Sequence, residues 1–349
     1  MTSPTIGTPP HPHPHPHPHP HGYRQPMPTV ITIGNFDGVH LGHAALLARA
    51  RQLAGPAATG GRVVAMTFDP HPASVLRPDR TPRTLAPFAA RESLLRERGA
   101  DAVIRLDPAS GILDMDAHEF IASLVSRHSP AAFVEGPDFQ FGKGRTGNVR
   151  TLASIGLELG FTLDIVGPVE VALVDGSVVT ASSSLTRWLV SHGRVADAAR
   201  ILGRDYELAG TVVQGDRKGR TIGFPTANVS LPREWDAVAL PKDGVYTAHA
   251  MLPDGSSRPA MLNIGNRPTL AGVEHRIEAH LLTDDSPWPT NLPEYGWPIS
   301  LRLTGWLRDQ VRFPSFPALA AQLLRDRSRA HLYPPAATAQ PPLTIGRLT

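Results

Sequence analysis

The hydrophobic positions in the first half of the chain predict short buried strands that alternate with helices. Continuous apolar and β-branched runs indicate buried strands, and apolar residues at helical spacing among good helix formers indicate helices. The predicted strands are 29–33, 62–68, 102–106, 132–135 and 162–166. The predicted helices between them are 44–53, 90–98, 118–127 and 151–159. This alternation favours an α/β fold, with a parallel sheet covered by helices on both faces.

The pattern changes near residue 205, after a helical stretch predicted over 186–202. Beyond it, short strand-like segments are separated by glycine and proline. These segments are 208–214, 244–251, 258–264, 275–282 and 299–307. Their spacing predicts a small antiparallel barrel or sandwich. A last helix, predicted over 316–327, would close it.

Both ends of the chain are of low complexity. His and Pro alternate from His11 to His21, and proline fixes φ and lacks a backbone donor, so we expect neither helix nor sheet there. A histidine-rich tract can bind divalent metal, but a solvated tail is the simpler interpretation. We predict disordered tails over 1–28 and 333–349, the second on account of its prolines.

Charge and cysteine content exclude several classes of protein. The 34 Lys and Arg against 31 Asp and Glu give a net charge of +3 without a basic run, so nothing indicates binding to nucleic acid or to a membrane surface. The chain has no cysteine, which excludes disulfides and thiolate chemistry. It also lacks an apolar run near the roughly 18 residues of a membrane span and a signal-peptide pattern. We therefore expect a soluble, cytoplasmic protein.

The segment GNFDGVHLGH, residues 34–43, lies where the first predicted strand meets the first helix. Glycines let a backbone approach a phosphate closely, and a helix N-terminus offers unpaired N–H groups and partial positive charge. His40 and His43 are three residues apart, so both imidazoles emerge on one side of the first turn. Two such donors suit the charge that builds on phosphorus during transfer. A glycine-rich turn with surface histidines is the weaker alternative, and the spacing fits neither a dinucleotide fingerprint nor a P-loop.

The segment GDRKGRTIGFPTAN, residues 215–228, combines glycines, cations and small polar residues. A flexible basic loop can wrap a polyphosphate, although such a loop alone is more often a solvated turn. If the segment is extended, Thr226 and Asn228 point the same way. Their hydroxyl and amide oxygens suit Mg²⁺, with phosphates and water completing the coordination.

These segments resemble the prokaryotic bifunctional riboflavin kinase/FAD synthetase family. Residues 34–43 are similar to the HxGH motif of its nucleotidylyltransferase module, and FDPHP at 68–72, EGPDFQFG at 135–142 and SSSLTR at 182–187 follow in the family's order. The last departs from the family's SSTxIR at Ser184 and Thr186 but keeps Arg187. In the second half, PTAN, GVY at 244–246, IGNRPT at 264–269 and HRIEAH at 275–280 resemble the riboflavin kinase module, and Gln310 stands where Glu is usual.

The resemblance implies two activities on one chain. A Rossmann-like FMN adenylyltransferase domain is expected at 29–187, a linker helix at 188–205 and a riboflavin kinase barrel at 206–332. The barrel would phosphorylate riboflavin to FMN with ATP, and the first domain would transfer AMP from ATP to FMN, giving FAD and pyrophosphate. Mg²⁺ is the expected cofactor, and riboflavin, FMN and ATP are the expected partners, while self-association stays open.

Two alternatives to the bifunctional interpretation remain. One is a monofunctional riboflavin kinase whose first domain is impaired by the altered stretch at 182–187. The other is a non-enzymatic, flavin-responsive binding protein, against which the intact PTAN segment argues.

The resemblance also assigns site residues. It implies His40, His43 and Arg187 as catalytic in adenylyl transfer, and Glu278, in a segment like the family's VExH, as the general base of the kinase. A lone Glu in a strand usually faces solvent, and serines 182–184 could equally form a helix N-cap. Thr226 and Asn228 are the expected metal ligands. The expected nucleotide-binding residues are Gly34, Asn35, Phe36, Asp37, Gly38, Asp69, Asp138, Ser183, Ser184, Gly215, Arg217, Lys218, Gly219, Arg220, Gly223 and Pro225.

Overall fold

The first half of the chain folds around a parallel sheet. The structure, a computed structural model, describes residues 28–215, 224–269, 272–282 and 292–330. The sheet strands are β1 (Thr29–Gly34), β2 (Arg62–Phe68), β3 (Ala102–Leu106), β4 (Ala132–Glu135) and β7 (Thr162–Ile165), in the order β3-β2-β1-β4-β7. All five coincide with predicted strands. The predicted tails lie almost wholly outside the described residues.

Helices cover both faces of this sheet. They are α1 (Leu41–Ala54), α3 (Phe88–Glu97), α4 (Ala117–His128) and α5 (Val149–Leu159), whereas the short α2 (Ala73–Leu76) buries none of its residues. Val30 of β1 packs with Leu47 of α1 on one face, whereas Ile31 packs with Ile121 of α4 and Leu152 of α5 on the other. Burial on both faces explains why these strands are continuous apolar runs. The predicted parallel α/β architecture is confirmed.

The reversal in strand order creates a crevice beside β1. Strands β1 and β4 are neighbours at the centre of the sheet, and helices α1 and α5, which come after them in the chain, pack on opposite faces. The loops that follow the two strands therefore diverge at the carboxyl edge of the sheet, where open α/β sheets bind ligands. Two short hairpins, which the hydrophobic pattern does not predict, are β5 (Gln140–Phe141) with β6 (Gly147–Asn148), and β8 (Glu170–Ala172) with β9 (Val178–Thr180).

The second half forms a closed antiparallel barrel. Its strands are β10 (Tyr206–Val213), β11 (Ala227–Ser230), β12 (Gly244–Met251), β13 (Ser257–Thr269), β14 (Gly272–Leu281) and β15 (Pro298–Arg308), in the order β10-β11-β14-β13-β12-β15. Helix α8 (Phe316–Ala330) follows, and its Leu323 and Ala330 pack with Phe224 and Val245 of the barrel. The predicted barrel closed by a helix is confirmed. Closure also selects the barrel over the sandwich.

The stretch predicted as helical over 186–202 is divided in two. Helices α6 (Ser183–Ser191) and α7 (Val195–Leu202) are separated by a turn in which Gly193 adopts φ 76°. One hydrophobic core runs from Leu85 of the first half through Val190 and Ile201 of these helices to Leu303 of the barrel. The sheet and the barrel therefore pack on each other through α6 and α7. Within the described part of the chain, none of the helices combines the length and apolar character of a membrane span.

A substitution at Gly193 tests the packing of these helices against the barrel. A Cβ at Gly193 would lie 2.6 Å from Trp306 Cε3 of the barrel, at a left-handed backbone position. We expect Gly193→Ala to lower the free energy of unfolding by about 2–4 kcal/mol, because overpacking and the left-handed conformation both oppose it. Gly255→Ala is the control, since Gly255 has φ +81° but nothing within 4 Å. Equal losses in urea denaturation of the two variants would contradict the close approach.

Candidate active sites

The loop after β1 is held in a constrained shape. Phe36, Gly38 and Val39 have φ values of 43°, 76° and 42°, a region that is uncommon for residues other than glycine and an outlier for β-branched Val39. The side chains of Phe36 and Val39 are buried in the core, which offsets the cost of the left-handed backbone. Phe36, predicted to bind nucleotide, therefore offers only its backbone to a ligand.

His40 and His43 begin helix α1 as a reciprocal cap. The Gly42 N–H donates to His40 Nδ1 at 3.1 Å, and the His40 N–H donates to His43 Nδ1 at 3.3 Å. The rings stack with centroids 3.6 Å apart. Because each Nδ1 accepts a backbone proton, the hydrogen bonds assign the neutral tautomer with its proton on Nε2 to both rings. The two histidines thus form a pair of Nε2–H donors.

Both imidazoles are neutral at pH 7. Burial lowers the pKa of His40 to about 4, and the positive charge of Arg204 adds to this. Burial also lowers the pKa of His43 well below its usual value, with His40 and Arg204 as smaller causes. Arg204 itself is tied to the same loop by a hydrogen bond of 2.8 Å to the Gly38 carbonyl.

These pKa shifts predict how stability depends on pH. The unfolded chain binds a proton at His40 below pH 6.5, whereas the folded chain does so only near pH 4. Because the unfolded state binds more protons, the free energy of unfolding decreases as the pH is lowered from about 6.5 to about 4. His40 accounts for up to about 3 kcal/mol of this decrease. Urea denaturation at pH 7 and at pH 5 measures this decrease. Between the two pH values, the free energy of unfolding of His40→Gln should decrease by about 2 kcal/mol less than that of wild type. His192→Gln, at an exposed position, should match wild type, and parallel slopes for wild type and His40→Gln would contradict the shift.

Asp37 connects the loop to helix α6 and to the segment that precedes α3. Its Oδ1 accepts the Leu85 N–H at 2.7 Å, its Oδ2 lies 3.4 Å from Arg187 Nε, and its carbonyl accepts the Ser183 hydroxyl at 2.8 Å. Burial raises the pKa of Asp37, while the Leu85 hydrogen bond and Arg187 oppose the rise. Asp37 is therefore a buried anchor for Arg187. Among the described residues, Nη1 and Nη2 of Arg187 have no partner, which leaves them available to an anion.

The altered SSSLTR stretch keeps its helical start. Ser182 caps α6 by accepting the Leu185 N–H at 3.3 Å, and the buried Thr186 hydroxyl donates to the Ser182 carbonyl at 2.8 Å. Thr186 therefore satisfies its hydroxyl within the helix, where the family has an aliphatic residue. Ser184 is exposed on the first turn. The N-cap interpretation applies to Ser182, whereas Ser183 binds Asp37.

A buried arginine that sequence analysis missed organises the end of β2. Arg91 of α3 is 2% exposed; it donates to the carbonyls of Asn35 at 2.8 Å and Phe68 at 3.2 Å, and it pairs with Asp69. Arg105 also pairs with Asp69 at 2.8 Å. Two arginines thus neutralise Asp69, so this carboxylate is not a free metal ligand.

His71 and Arg145 are further candidates that the predicted site omits. His71 Nε2 lies 3.2 Å from the Asn35 side-chain nitrogen. Burial lowers the pKa of His71, and the charges of Arg187, Arg91 and Arg145 lower it further, so positive charge surrounds this end of the crevice. Asp138, after β4, is exposed. Gly34 and Asn35 complete the group at the carboxyl edge of the sheet.

The second site lies on the outer face of the barrel. Asn228 of β11 is paired in register with Glu278 of β14, and Glu278 with Asn263 of β13. Their neighbours Ala227 and Ala279 are buried, and alternate side chains of a strand point to opposite faces. Asn228, Glu278 and Asn263 therefore form a row on the outer face.

Several contacts fix this row. Gln310 Nε2 donates to Asn263 Oδ1 at 2.8 Å and to the Ile264 carbonyl at 3.1 Å, so Gln310, where the family usually has Glu, makes donor contacts that a carboxylate could not. Glu278 Oε1 lies 3.8 Å from Arg276 Nη1. A Cβ at Gly215 would lie 1.8 Å from Asn228 Nδ2, so the absence of a side chain at Gly215 lets Asn228 pack there.

His280 joins the PTAN segment to the strand of Glu278. Its Nδ1 lies 2.8 Å from the Pro225 carbonyl, and since a carbonyl only accepts, Nδ1 carries the proton. Burial lowers the pKa of His280, and the hydrogen bond to Pro225 opposes this shift. Thr226 is exposed and lies two residues before Asn228, on the same face. Arg217, Lys218, Gly219, Arg220 and Gly223 lie outside the described residues.

The donor set at Thr226 and Asn228 fits a hard cation. In the ranges that the structure describes, there is no group of three His, Asp or Glu residues that could hold a metal ion. A hydroxyl and an amide oxygen are weak ligands alone but suit Mg²⁺ when substrate phosphates and water supply the rest.

The fold and the two clusters define a two-module enzyme of phosphate transfer, and comparisons with known proteins identify its family. The family model described as FAD synthetase matches residues 23–180, and the one described as riboflavin kinase matches 202–333. The bifunctional riboflavin kinase/FMN adenylyltransferase of Escherichia coli K12 is 36% identical over 86% of this chain and 91% of its own length. That of Pseudomonas fluorescens is 34% identical over 86% and 91%. The chain therefore belongs to the bifunctional riboflavin kinase/FMN adenylyltransferase family.

A solved structure supports the whole-chain fold. A protein from Streptococcus pneumoniae, described as a macrolide-efflux protein, aligns with a TM-score of 0.76 at 29% identity over 89% of this chain and 96% of that one. Both modules of the family are present in one chain. This favours the bifunctional interpretation over a kinase with an impaired first domain.

Proposed function

We propose that this chain converts riboflavin to FAD in two ATP-dependent steps, with phosphorylation at the barrel and adenylyl transfer at the sheet. The observation that carries the proposal is the presence of two separate phosphate-handling clusters, the His40–His43 pair and the Asn228–Glu278 row. The first is built at a helix N-terminus and the second on a barrel, so a substitution in one cluster leaves the residues of the other in place.

In the kinase step, Glu278 is the general base. Its carboxylate accepts the proton of the ribityl 5′-hydroxyl of riboflavin, and the hydroxyl oxygen attacks the γ-phosphorus of ATP. The bond from that phosphorus to the bridging oxygen breaks, and ADP leaves with FMN as the product. Position and charge neutralisation supply most of the rate, because phosphoryl transfer needs little covalent help from the protein.

Thr226 and Asn228 are the proposed ligands of Mg²⁺ in this site. When bound, the ion would neutralise charge on the ATP phosphates. The pairing of Asn228 with Glu278 supports the assignment, since it brings the metal-binding and proton-accepting groups to adjacent strands. The residues proposed to bind the ATP phosphates are Gly215, Arg217, Lys218, Gly219, Arg220, Gly223 and Pro225.

In the adenylyl transfer step, an oxygen of the FMN phosphate attacks the α-phosphorus of a second ATP and pyrophosphate leaves. The Nε2–H groups of His40 and His43 donate to the α-phosphate as negative charge develops on it. They are neutral, so they supply oriented dipoles in a partly buried site, where such donors are most effective. Arg187 attracts the leaving pyrophosphate through Nη1 and Nη2, the nitrogens that do not face Asp37.

The remaining predicted residues have less direct proposed roles. The backbone at Gly34, Phe36 and Gly38, the side chain of Asn35 and the exposed Asp138 and Ser184 are proposed to contact nucleotide or flavin. Asp37, Asp69 and Ser183 act through the side chains or loop they hold.

The division into domains is also proposed. It places the FMN adenylyltransferase domain at 29–187, the linker at 188–205 and the kinase domain at 206–332, which the ranges of the two family models support. A cytoplasmic location and self-association stay predictions.

Chromatography of riboflavin, FMN and FAD after incubation with ATP and Mg²⁺ tests the proposed function. We expect FMN to appear first and FAD to follow, with one ADP per riboflavin phosphorylated and one pyrophosphate per FAD. Accumulation of FMN without FAD would support the kinase with an impaired first domain. Binding of riboflavin without turnover would support the flavin-responsive binding protein.

A further inference from the structure

A cavity of about 370 Å³ adjoins the row of the kinase site and is lined from both halves of the chain. On the barrel side it includes Asn228 of β11 and Arg276 of β14. The segment after β11 contributes Trp235 and Leu240. Among the described residues that line the cavity, Arg83 comes from the first half of the chain.

Backbone hydrogen bonds hold Arg83 in this position. The Thr84 N–H donates to the Ala237 carbonyl at 2.8 Å, and the Ala239 N–H donates to the Thr84 carbonyl at 2.7 Å, so this segment runs as a short parallel bridge along the barrel module. The next residue, Leu85, is bound to Asp37. Arg83 is therefore fixed between the two candidate sites by its own chain.

The hydrogen bonds of the Arg83 side chain to the barrel module use one of its three nitrogens. Its Nη1 donates to the carbonyls of Asp236 at 2.8 Å and Val238 at 3.3 Å. Its Nε and Nη2 have no partner within the described ranges of the chain. A guanidinium anchored at one nitrogen loses less side-chain entropy when it binds a ligand through the others.

The lining of the cavity suits an anion that carries an aromatic ring. Trp235 and Leu240 offer apolar surface. Arg276 is compensated by Glu278 at 3.8 Å, whereas Arg83 forms no ion pair with the described residues. Of the two kinase substrates, riboflavin is uncharged and ATP is a polyanion, so the positive charge of Arg83 discriminates between them. Asn228, at the edge of the cavity, is the proposed ligand of the ATP-bound metal.

We propose that Arg83 binds the nucleotide of the kinase reaction, so that the adenylyltransferase module supplies a binding residue to the kinase module. The inference rests on the proposed function, because it presumes that the barrel phosphorylates riboflavin. In this arrangement, residues of both modules form the kinase site, and the packing between the modules contributes to nucleotide binding.

Steady-state kinetics of FMN formation by the full-length protein test this inference. Arg83→Ala should raise KM for ATP about tenfold, with kcat and KM for riboflavin changed by less than about twofold, since a charged hydrogen bond to a bound substrate is removed. Arg83→Lys should lie between wild type and Arg83→Ala, because it keeps the charge without the planar fork. Arg77→Ala, at an exposed arginine six residues earlier, is the matched control and should behave as wild type.

Three results would overturn the inference. They are an unchanged KM for ATP in Arg83→Ala, a rise in KM for riboflavin instead, or an equal loss of adenylyl transfer from supplied FMN, which would mean that Arg83 only maintains the contact between modules. A wild-type protein that forms no FMN would instead refute the proposed function. The two failures are therefore distinguishable.

Discussion

Replacing His43 by alanine is expected to lower FAD formation from FMN and ATP by about 10²–10³-fold, the effect of removing one preorganised donor to a developing anion. His43 presents Nε2–H because its Nδ1 accepts the His40 N–H, so alanine removes both the donor and part of the helix cap. FMN formation from riboflavin should stay within about twofold of wild type, because the kinase row lies on a separate module. Separate assays started from FMN and from riboflavin measure the two effects.

His192→Ala is the control for His43→Ala. His192 is an exposed histidine at the end of α6 and lies outside both clusters, so its replacement should leave both reactions unchanged. Thermal unfolding of both variants separates a catalytic loss from a folding defect. Equal loss of kinase and adenylyltransferase activity in a folded His43→Ala protein would contradict two separable sites.

Glu278→Gln is expected to impair the kinase reaction and to spare adenylyl transfer, the reverse of His43→Ala. The amide keeps the size of the side chain and its place between Asn228 and Asn263 but cannot accept the hydroxyl proton, so kcat for FMN formation should fall by about 10²–10⁴-fold. Adenylyl transfer to supplied FMN should continue at the wild-type rate.

Glu207→Gln is the matched control in the same barrel. Glu207 of β10 pairs with Arg302 of β15 at 3.2 Å and is not part of the proposed kinase row. Its replacement should leave both reactions unchanged. A Glu278→Gln protein that retains kinase activity would remove Glu278 from the role of general base.

Much of the fold could be predicted because it follows from local pattern. The parallel strands are buried on both faces, so β1 and β2 appear as continuous apolar runs. Strand β11 was missed as a separate element, because it is four residues long and continues the glycine-rich segment. Its identity as a strand depends on pairing with β10 and β14, which no local window contains.

The site was predictable where its residues are close in the sequence. The spacing of His40 and His43 alone indicated two donors on one helical turn, and the structure adds the tautomer. The role of Arg91 was not predictable, since its partners Asn35, Phe68 and Asp69 lie on other elements. The roles of Asp37 and Asp69 were not predictable either. Their carboxylates bind residues that are distant in the sequence and are not left free for a nucleotide.

The departures from the family pattern are explained by hydrogen bonds in the folded chain. Thr186 is accommodated because its hydroxyl bonds to the Ser182 carbonyl. Gln310 is accommodated because Asn263 Oδ1 and the Ile264 carbonyl both accept its protons. Neither substitution disrupts the element on which the neighbouring site residues lie.

Mixing the two single variants tests most directly the claim that one chain carries two active sites with separate catalytic residues. Neither His43→Ala nor Glu278→Gln alone should convert riboflavin to FAD at an appreciable rate in the presence of ATP and Mg²⁺. An equimolar mixture should form FAD, because FMN released by His43→Ala is the substrate of Glu278→Gln. A mixture that accumulates FMN without FAD, or that forms neither product, while wild type forms both, would contradict the account.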